Sequence, residues 1–292
     1  MDGHQSADGG GREFQRVFDA LLGRMTDGTY AQGSFLPSQR DLAESFGVSR
    51  DTVQRALREL SREGWIESRQ GSGSRVIKGQ RIQSSTPKAS STPRDMTLGT
   101  IIGKAFERPE VTVDVFTLTS ESLDAHIRLQ AGRIQGHVIT PRRISLRMLL
   151  PDTSLPLPYP RLSDDKDDPR PRQRLEAITQ RHTDSLRALL KDLKTEELVD
   201  DVDVQIRYAP LIPTFKLYLL NGIEVLHGMY EVIERQMKLD SGEVVTALDV
   251  LGLGATLTHQ VKDADPESPG SVFVDSMQAW FDSVWDRLAV SE

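Results

Sequence analysis

No cysteine occurs among the 292 residues, which excludes disulfides, thiolate metal sites and cysteine nucleophiles. No apolar run approaches the roughly 20 residues needed to cross a bilayer, and the N-terminal stretch 1–10 is polar where a signal peptide would be apolar. The expectation is a cytoplasmic chain with no membrane partner. An overall basic excess is also missing, since 36 Lys and Arg stand against 43 Asp and Glu for a net charge of −7. The deficit is unevenly placed: residues 1–80 hold 11 basic and 11 acidic residues, leaving 25 and 32 to the remainder. Within residues 49–81 the count is 8 basic to 4 acidic, so a local positive surface fits on a globally acidic molecule. Metal-ligand patterns are lacking too. His126, His137, His182, His227 and His259 show no i, i+4 pairing and no acidic companion at ligand spacing, and Asp164–Asp168 lacks the Gly and terminal Glu of a calcium loop. No metal and no cofactor are expected. His126 reads as a surface residue, and Gly252–Ala255 reads as a turn rather than a phosphate loop. The run Thr119-Ser120-Glu121-Ser122 reads as helix capping, although a helix N-terminus beside a strand end can hold an anion.

What the chain does contain is a pair of short amphipathic helices within residues 36–60. Ser38 is placed to cap the first, with Asp41 three residues on and Leu42, Ala43 and Phe46 on its apolar side. Gly47 stops that helix. Ser49 is placed to cap a second, in which Val53, Ala56, Leu57 and Leu60 recur at i, i+3, i+4 and i+7 as the buried stripe. Arg50, Asp51, Gln54, Arg55 and Arg58 are left outside. Guanidinium and carboxamide groups near a helix N-terminus are what reading a major groove requires. A solvated face on an ordinary helical pair is the alternative, and the next segment favours the first reading. Residues 63–77 read as a helix end, a strand, a Gly/Ser tip at Gln70-Gly71-Ser72-Gly73 and a returning strand, which is a wing. Trp65 and Ile66 are assigned to the core. Upstream, Phe14, Val17, Phe18, Leu21, Leu22 and Met25 form an amphipathic helix able to cover the pair.

The blocks Gly33–Ala43, Gly47–Val53, Ala56-Leu57, Glu63–Ile66 and Gln70–Gly73, in that order, resemble the DNA-binding domain of the GntR family of bacterial transcription regulators. The resemblance covers a winged helix-turn-helix of α+β class at residues 12–78 and implies a homodimer on a pseudo-palindromic operator in double-stranded DNA. It also implies roles: Arg40 and Arg50 as principal contacts, Ser49 and Thr52 bonding phosphates, and Gln70 and Gly71 entering the minor groove. Gln54 stands where many members carry Arg, which favours different base-edge chemistry, and Arg55 lies on the same outer face.

Residues 79–98, with no aromatic and little to bury, read as a flexible linker. Residues 99–292 then read as an α/β effector-binding or dimerisation domain with a mixed sheet. A strand at 111–118, a helix at 120–136 and a strand at 144–150 form a βαβ unit, hence a parallel pair. A loop over 151–171, a helix at 172–197 and a strand at 202–208 follow. Further strands are expected at 216–220, 224–227, 229–233 and 244–248, and the helix 271–288 carries seven large apolar residues for a core or dimer interface. The segment Pro213–Gly222, with Gly228–Glu231, resembles a degraded phospholipase D signature, His-x-Lys-x4-Asp followed by Gly-Ser-x-Asn. Lys216 is intact, whereas Thr214 replaces the histidine, Asn221 the acid, and Met229 and Glu231 the Ser and Asn. Without the histidine no phosphohistidine chemistry is available, so no catalytic residue is assigned. The reading is instead a pocket for a small anion or polyol, with Lys216 supplying charge and Thr214, Tyr218, Asn221 and Tyr230 supplying hydrogen bonds; the bland reading is a strand-end lysine beside a hairpin turn. The expected function is a dimeric, ligand-modulated transcription regulator, most simply a repressor. The alternatives are a DNA-targeted phosphodiesterase and a ligand-free regulator whose second domain dimerises or binds protein.

Overall fold

The computed structural model describes residues 6–26, 29–30, 33–62, 65–69, 73–77, 82–84, 97–239, 241, 243–252 and 255–291. Two compact units emerge: Met1–Gln80 with Thr92–Thr100, and Arg81–Ser91 with Ile101–Glu292.

The first unit contains helices α1 (Ser6–Thr26), α2 (Gln39–Phe46) and α3 (Arg50–Arg62) and the antiparallel strands β1 (Ile66–Arg69) and β2 (Gly73–Val76). Its local signals act as the sequence implies. Ser38 Oγ accepts from Asp41 N at 3.2 Å to cap α2, and Gly47 closes that helix in the left-handed region at φ 63°, where a Cβ would be strained. Ser49 Oγ accepts from Thr52 N at 3.1 Å at the head of α3. The stripe Val53, Ala56, Leu57 and Leu60 is buried against Val17, Leu21, Leu22 and Met25 of α1 and the apolar side of α2. Trp65 and Ile66 complete this core. Residues 33–36 run beside β2, with Leu36 N donating to Ser74 O at 2.8 Å and Val76 N to Ser34 O at 2.9 Å. The wing is therefore tied to the segment that precedes α2.

The second unit contains β3 (Ile82–Ser84), α4 (Leu98–Ala105, whose first turn falls in the other unit), β4 (Glu110–Phe116), α5 (Glu121–Gln135), β5 (Arg143–Pro151), β6 (Arg161–Leu162), α6 (Arg170–Thr195), β7 (Asp201–Ala209), β8 (Phe215–Leu220), β9 (Glu224–Met229), β10 (Glu231–Lys238), β11 (Val244–Leu251), β12 (Leu257–Val261), α7 (Pro269–Arg287) and β13 (Val290–Ser291). An eight-stranded sheet runs β13-β7-β5-β4-β8-β9-β12-β3, and a three-stranded sheet runs β10-β11-β6. Strands β4, β5 and β7 are mutually parallel, while β8, β9 and β12 continue antiparallel, so the sheet is mixed as expected.

Strand alternation assigns the two faces. Phe116, Leu149, Leu217, Leu219 and Val225 pack with Val274, Phe281, Val284 and Trp285 of α7, so this helix belongs to the core. Arg147 fastens it further: its guanidinium bonds Asp114 at 2.8 and 2.6 Å and Asp282 at 2.8 Å and lies 5.1 Å over the Phe281 ring. Those two carboxylates hold its pKa above the ordinary guanidinium value. The intervening residues of β8, including Lys216, Tyr218 and Leu220, are buried on the opposite face.

Some elements differ from expectation. Within the stretch read as a flexible linker, Ile82–Ser84 pair in parallel with Leu257–His259 of β12, and Thr97 caps α4 through its hydroxyl, which accepts from Thr100 N at 3.1 Å. The 151–171 loop carries β6, paired with β11. Strands this short carry no periodicity that a sequence reading detects; partners distant in sequence create them. Residues 27–28, 63–64, 70–72 and 78–81, to which a turn, a helix end, the wing tip with Gln70 and Gly71, and the start of the linker were assigned, lie outside the described residues.

Candidate nucleic-acid interface and candidate ligand site

The first unit carries the expected charged face. Arg40 of α2 and Ser49 at the head of α3 are exposed, as are Arg50, Gln54, Arg55 and Arg58, which the period of α3 that buries Val53, Ala56 and Leu57 turns outward. Arg50 opens α3, where the positive end of the helix dipole favours an anion. Arg55 lies 5.2 Å over the Phe14 ring, which limits its reach. Thr52 differs from these residues in its burial. It is 6% exposed and its hydroxyl lies 2.9 Å from Ser49 Oγ, so it locks the head of the helix instead of facing outward. On the wing, Arg75 Nε donates to Gly33 O at 3.0 Å, tying strand to turn.

In the second unit the five ligand candidates separate. Lys216, Tyr218 and Tyr230 converge: the Lys216 ammonium lies 5.7 Å over the Tyr230 ring and donates to Gly252 O. Tyr230 Oη in turn accepts from Leu118 N at 3.0 Å and lies 3.1 Å from Thr117 Oγ1. Burial pushes the Tyr230 hydroxyl up to about 12 and the Tyr218 hydroxyl higher still. Asn221 is elsewhere, at the far end of β8 with φ 54°, where Oδ1 accepts from Thr112 N at 2.9 Å and Nδ2 donates to Ala105 O at 3.2 Å. It is a turn residue that ties α4 to the sheet. Thr214 is exposed and contributes its carbonyl to Tyr230 N at 2.9 Å.

The residues that join Lys216 come from α5. His126, expected at the surface, is 2% exposed, and burial followed by the Lys216 charge lowers its pKa to about 4. It is therefore neutral at physiological pH, and its Nδ1 makes no hydrogen bond. Ser122, one turn earlier, lies near enough to Tyr218 to ease the burial of that phenol, yet its Oγ is outside hydrogen-bond geometry. Ser120, expected to cap α5, makes no side-chain cap bond and is 0% exposed, again with an unbonded hydroxyl. Asp124 faces α6, where it bonds His182 Nδ1 at 2.8 Å, Ser185 Oγ at 2.8 Å and Arg128 at 3.3 Å. The i, i+4 spacing of Ser122 and His126 was a signal in the sequence; what concealed it was that nothing there shows which side of α5 meets Lys216. Among the described residues no group of three or more His, Asp or Glu is arranged to hold a metal, and no helix is long and apolar enough to cross a membrane.

Residues 14–76 match the model of the bacterial regulatory proteins of the gntR family. Residues 14–76 are a GntR-family helix-turn-helix domain. An HTH-type transcriptional regulator of Mycobacterium tuberculosis is 42% identical over 62 residues, 21% of this chain and 26% of that protein. The Exu regulon transcriptional regulator of Escherichia coli is 38% identical over 69 residues, 24% of this chain and 27% of its own length. A fatty acid metabolism regulator protein of Shewanella baltica is 40% identical over 50 residues, 17% and 21% of the two chains. The match thus spans about a quarter of the length of these relatives or less. Among solved structures, the AraR DNA-binding domain in complex with operator DNA is 28% identical and covers 22% of this chain and 79% of that one, with a TM-score of 0.22. The GntR assignment accordingly rests on the sequence match, which takes in Arg40, Ser49, Arg50, Gln54, Arg55, Gln70 and Gly71. The GntR-type segment ends before β3, so the site around Lys216 lies outside it.

Proposed function

We propose that the chain is a cytoplasmic, sequence-specific DNA-binding transcription regulator, a repressor that engages a pseudo-palindromic operator as a homodimer. One observation carries this reading: the GntR-type unit presents Arg40, Arg50, Gln54 and Arg58 on one exposed face around the N-terminal half of α3, with the stripe behind them fully buried. Arginines bond guanine edges or phosphates, and Gln54 suits an adenine edge. The mixed-sheet unit serves as the effector domain. Its phospholipase D-like signature has Lys216 without the histidine nucleophile, which fits binding of a small anion or polyol without hydrolysis. Coupling requires that the ligand bind two arrangements of the dimer with different affinity.

Selection of random duplex DNA on the full chain, followed by a salt titration of the best site, tests the proposal. The expected result is a pair of inverted half-sites about one helical turn apart, roughly 34–36 Å centre to centre. Affinity should fall steeply with salt, by roughly 0.9 log units per log unit of salt for each phosphate neutralised. Sequence-blind binding, or a single unpaired half-site, would reject the dimeric operator reading.

A further inference from the structure

Strand β4 is the place where the sheet changes direction of connection. Its parallel neighbour β5 follows through α5, while its other neighbour β8 runs antiparallel. In open α/β sheets ligands sit beyond the C-terminal ends of the parallel strands, which is the end of β4 that abuts the start of β8. Phe116, the last residue of β4, pairs with Leu217, so Lys216 stands one step beyond, beside Thr117 and the 117–120 segment that leads into α5. Lys216, although 2% exposed, is held by the Gly252 carbonyl and the Tyr230 ring. On α5, buried His126 lies close enough to feel the Lys216 charge and its Nδ1 makes no hydrogen bond, while Ser122 Oγ lies near Tyr218 outside ordinary hydrogen-bond geometry. Buried polar atoms are nearly always satisfied in native proteins, and His126 Nδ1, unbonded beside the Lys216 charge with the Ser122 hydroxyl and Tyr218 next to it, points to a bound polar species. The nearby carboxylate of Asp124 is occupied by Arg128, Ser185 and His182, and Lys216 brings a positive charge to this end of β8.

We infer that Ser122 and His126 of α5, with Lys216 and Tyr218 of β8, form the binding site for the oxyanion of a small metabolite, a carboxylate or a phosphate monoester. This deepens the effector reading proposed above and rests on it for its regulatory meaning. Lys216 supplies the charge, the Ser122 hydroxyl and the first N–H groups of α5 donate to the oxygens, and neutral His126 donates or accepts at the substituent. Thr214 and Asn221 take no part.

Isothermal titration of the full chain with inorganic phosphate and, separately, with acetate, at ionic strength held constant by sodium chloride, is the test. Saturable binding of at least one anion is expected, weakened at least about tenfold by Ser122→Ala and by Lys216→Met and unchanged in Thr214→Ala, since a hydrogen bond to a charged group is lost only in the first two. Ser122→Ala removes one small hydroxyl beside the Tyr218 phenol, a milder change than removing the buried Lys216 charge, so it remains informative if Lys216→Met fails to fold. Absence of saturable binding, or binding indifferent to Ser122→Ala, would overturn the site. Operator affinity measured with and without saturating anion separates the two readings: a shift supports the effector role, whereas Ser122-dependent binding with constant operator affinity overturns that role and leaves the site standing.

Discussion

His126 is the residue whose environment departs furthest from what its neighbours in sequence imply. An unfolded chain protonates this imidazole near its ordinary value of 6.5, whereas the native protein refuses the proton until about pH 4. The stability this neutral ring permits is complete above about pH 6.5 and is lost as pH falls toward 4, by up to about 3 kcal/mol. Denaturant unfolding at about pH 7 and about pH 5 should show the loss, and His126→Gln should flatten it; an equal loss in the variant would assign the dependence to other groups. At the DNA face the decisive residue is Arg50. Arg50→Ala should weaken operator binding by roughly 1–3 kcal/mol at unchanged thermal stability. Leu57→Ala, only seven residues on but buried, should lower stability by about 2–5 kcal/mol. Fluorescence anisotropy and thermal unfolding on both variants separate contact from scaffold, and an Arg50→Ala protein with wild-type affinity would remove α3 from the groove.

At the scale of elements, periodicity explains which faces were legible. Helix α3 reads directly because one stripe is apolar and the other polar. Strand β8 does not, since both of its faces are covered, and Lys216 and Tyr218 alternate with Leu217 and Leu219 in a run that looks uniformly apolar apart from the lysine. Close approach of elements is equally hidden. Gly228 lies in β9 where a Cβ would stand 2.6 Å from Leu257 Cδ2 and 2.7 Å from Thr256 O, so this glycine sets how near the β9 backbone comes to the start of β12. Gly228→Ala should destabilise the protein by roughly 1–3 kcal/mol through overpacking, read as a lower midpoint in urea. Gly222→Ala meets no atom within 4 Å but sits at φ 64°, and its smaller cost of about 1 kcal/mol comes from backbone strain alone.

For the whole molecule, the division into two units matters for charge. The acidic excess belongs to the chain after residue 80, while the 49–81 region is locally basic, so screening of the exposed arginines governs association with DNA rather than the net charge of −7. Raising ionic strength should slow association of the full chain with its operator by a larger factor than it speeds dissociation. Stopped-flow kinetics across a salt series check this, and a salt effect confined to dissociation would mean that the charged face contributes contacts without steering.

The sequence alone determined the winged helix-turn-helix, its caps and its buried stripe, because those features depend on residues within a few positions of one another and on a period that a linear reading detects. It also determined the parallel βαβ core, through runs of β-branched and apolar residues joined by a helix. Only the tertiary structure decided that Ser122 and His126 meet Tyr218 and Lys216, that Asn221 is a turn residue, that Thr52 is buried at the head of α3 and that Ile82–Ser84 are a strand. Each of these depends on which face of one element packs against another more than a hundred residues away, or, for Thr52, on which way a short polar side chain turns at a helix cap, and local periodicity carries no information about such a choice.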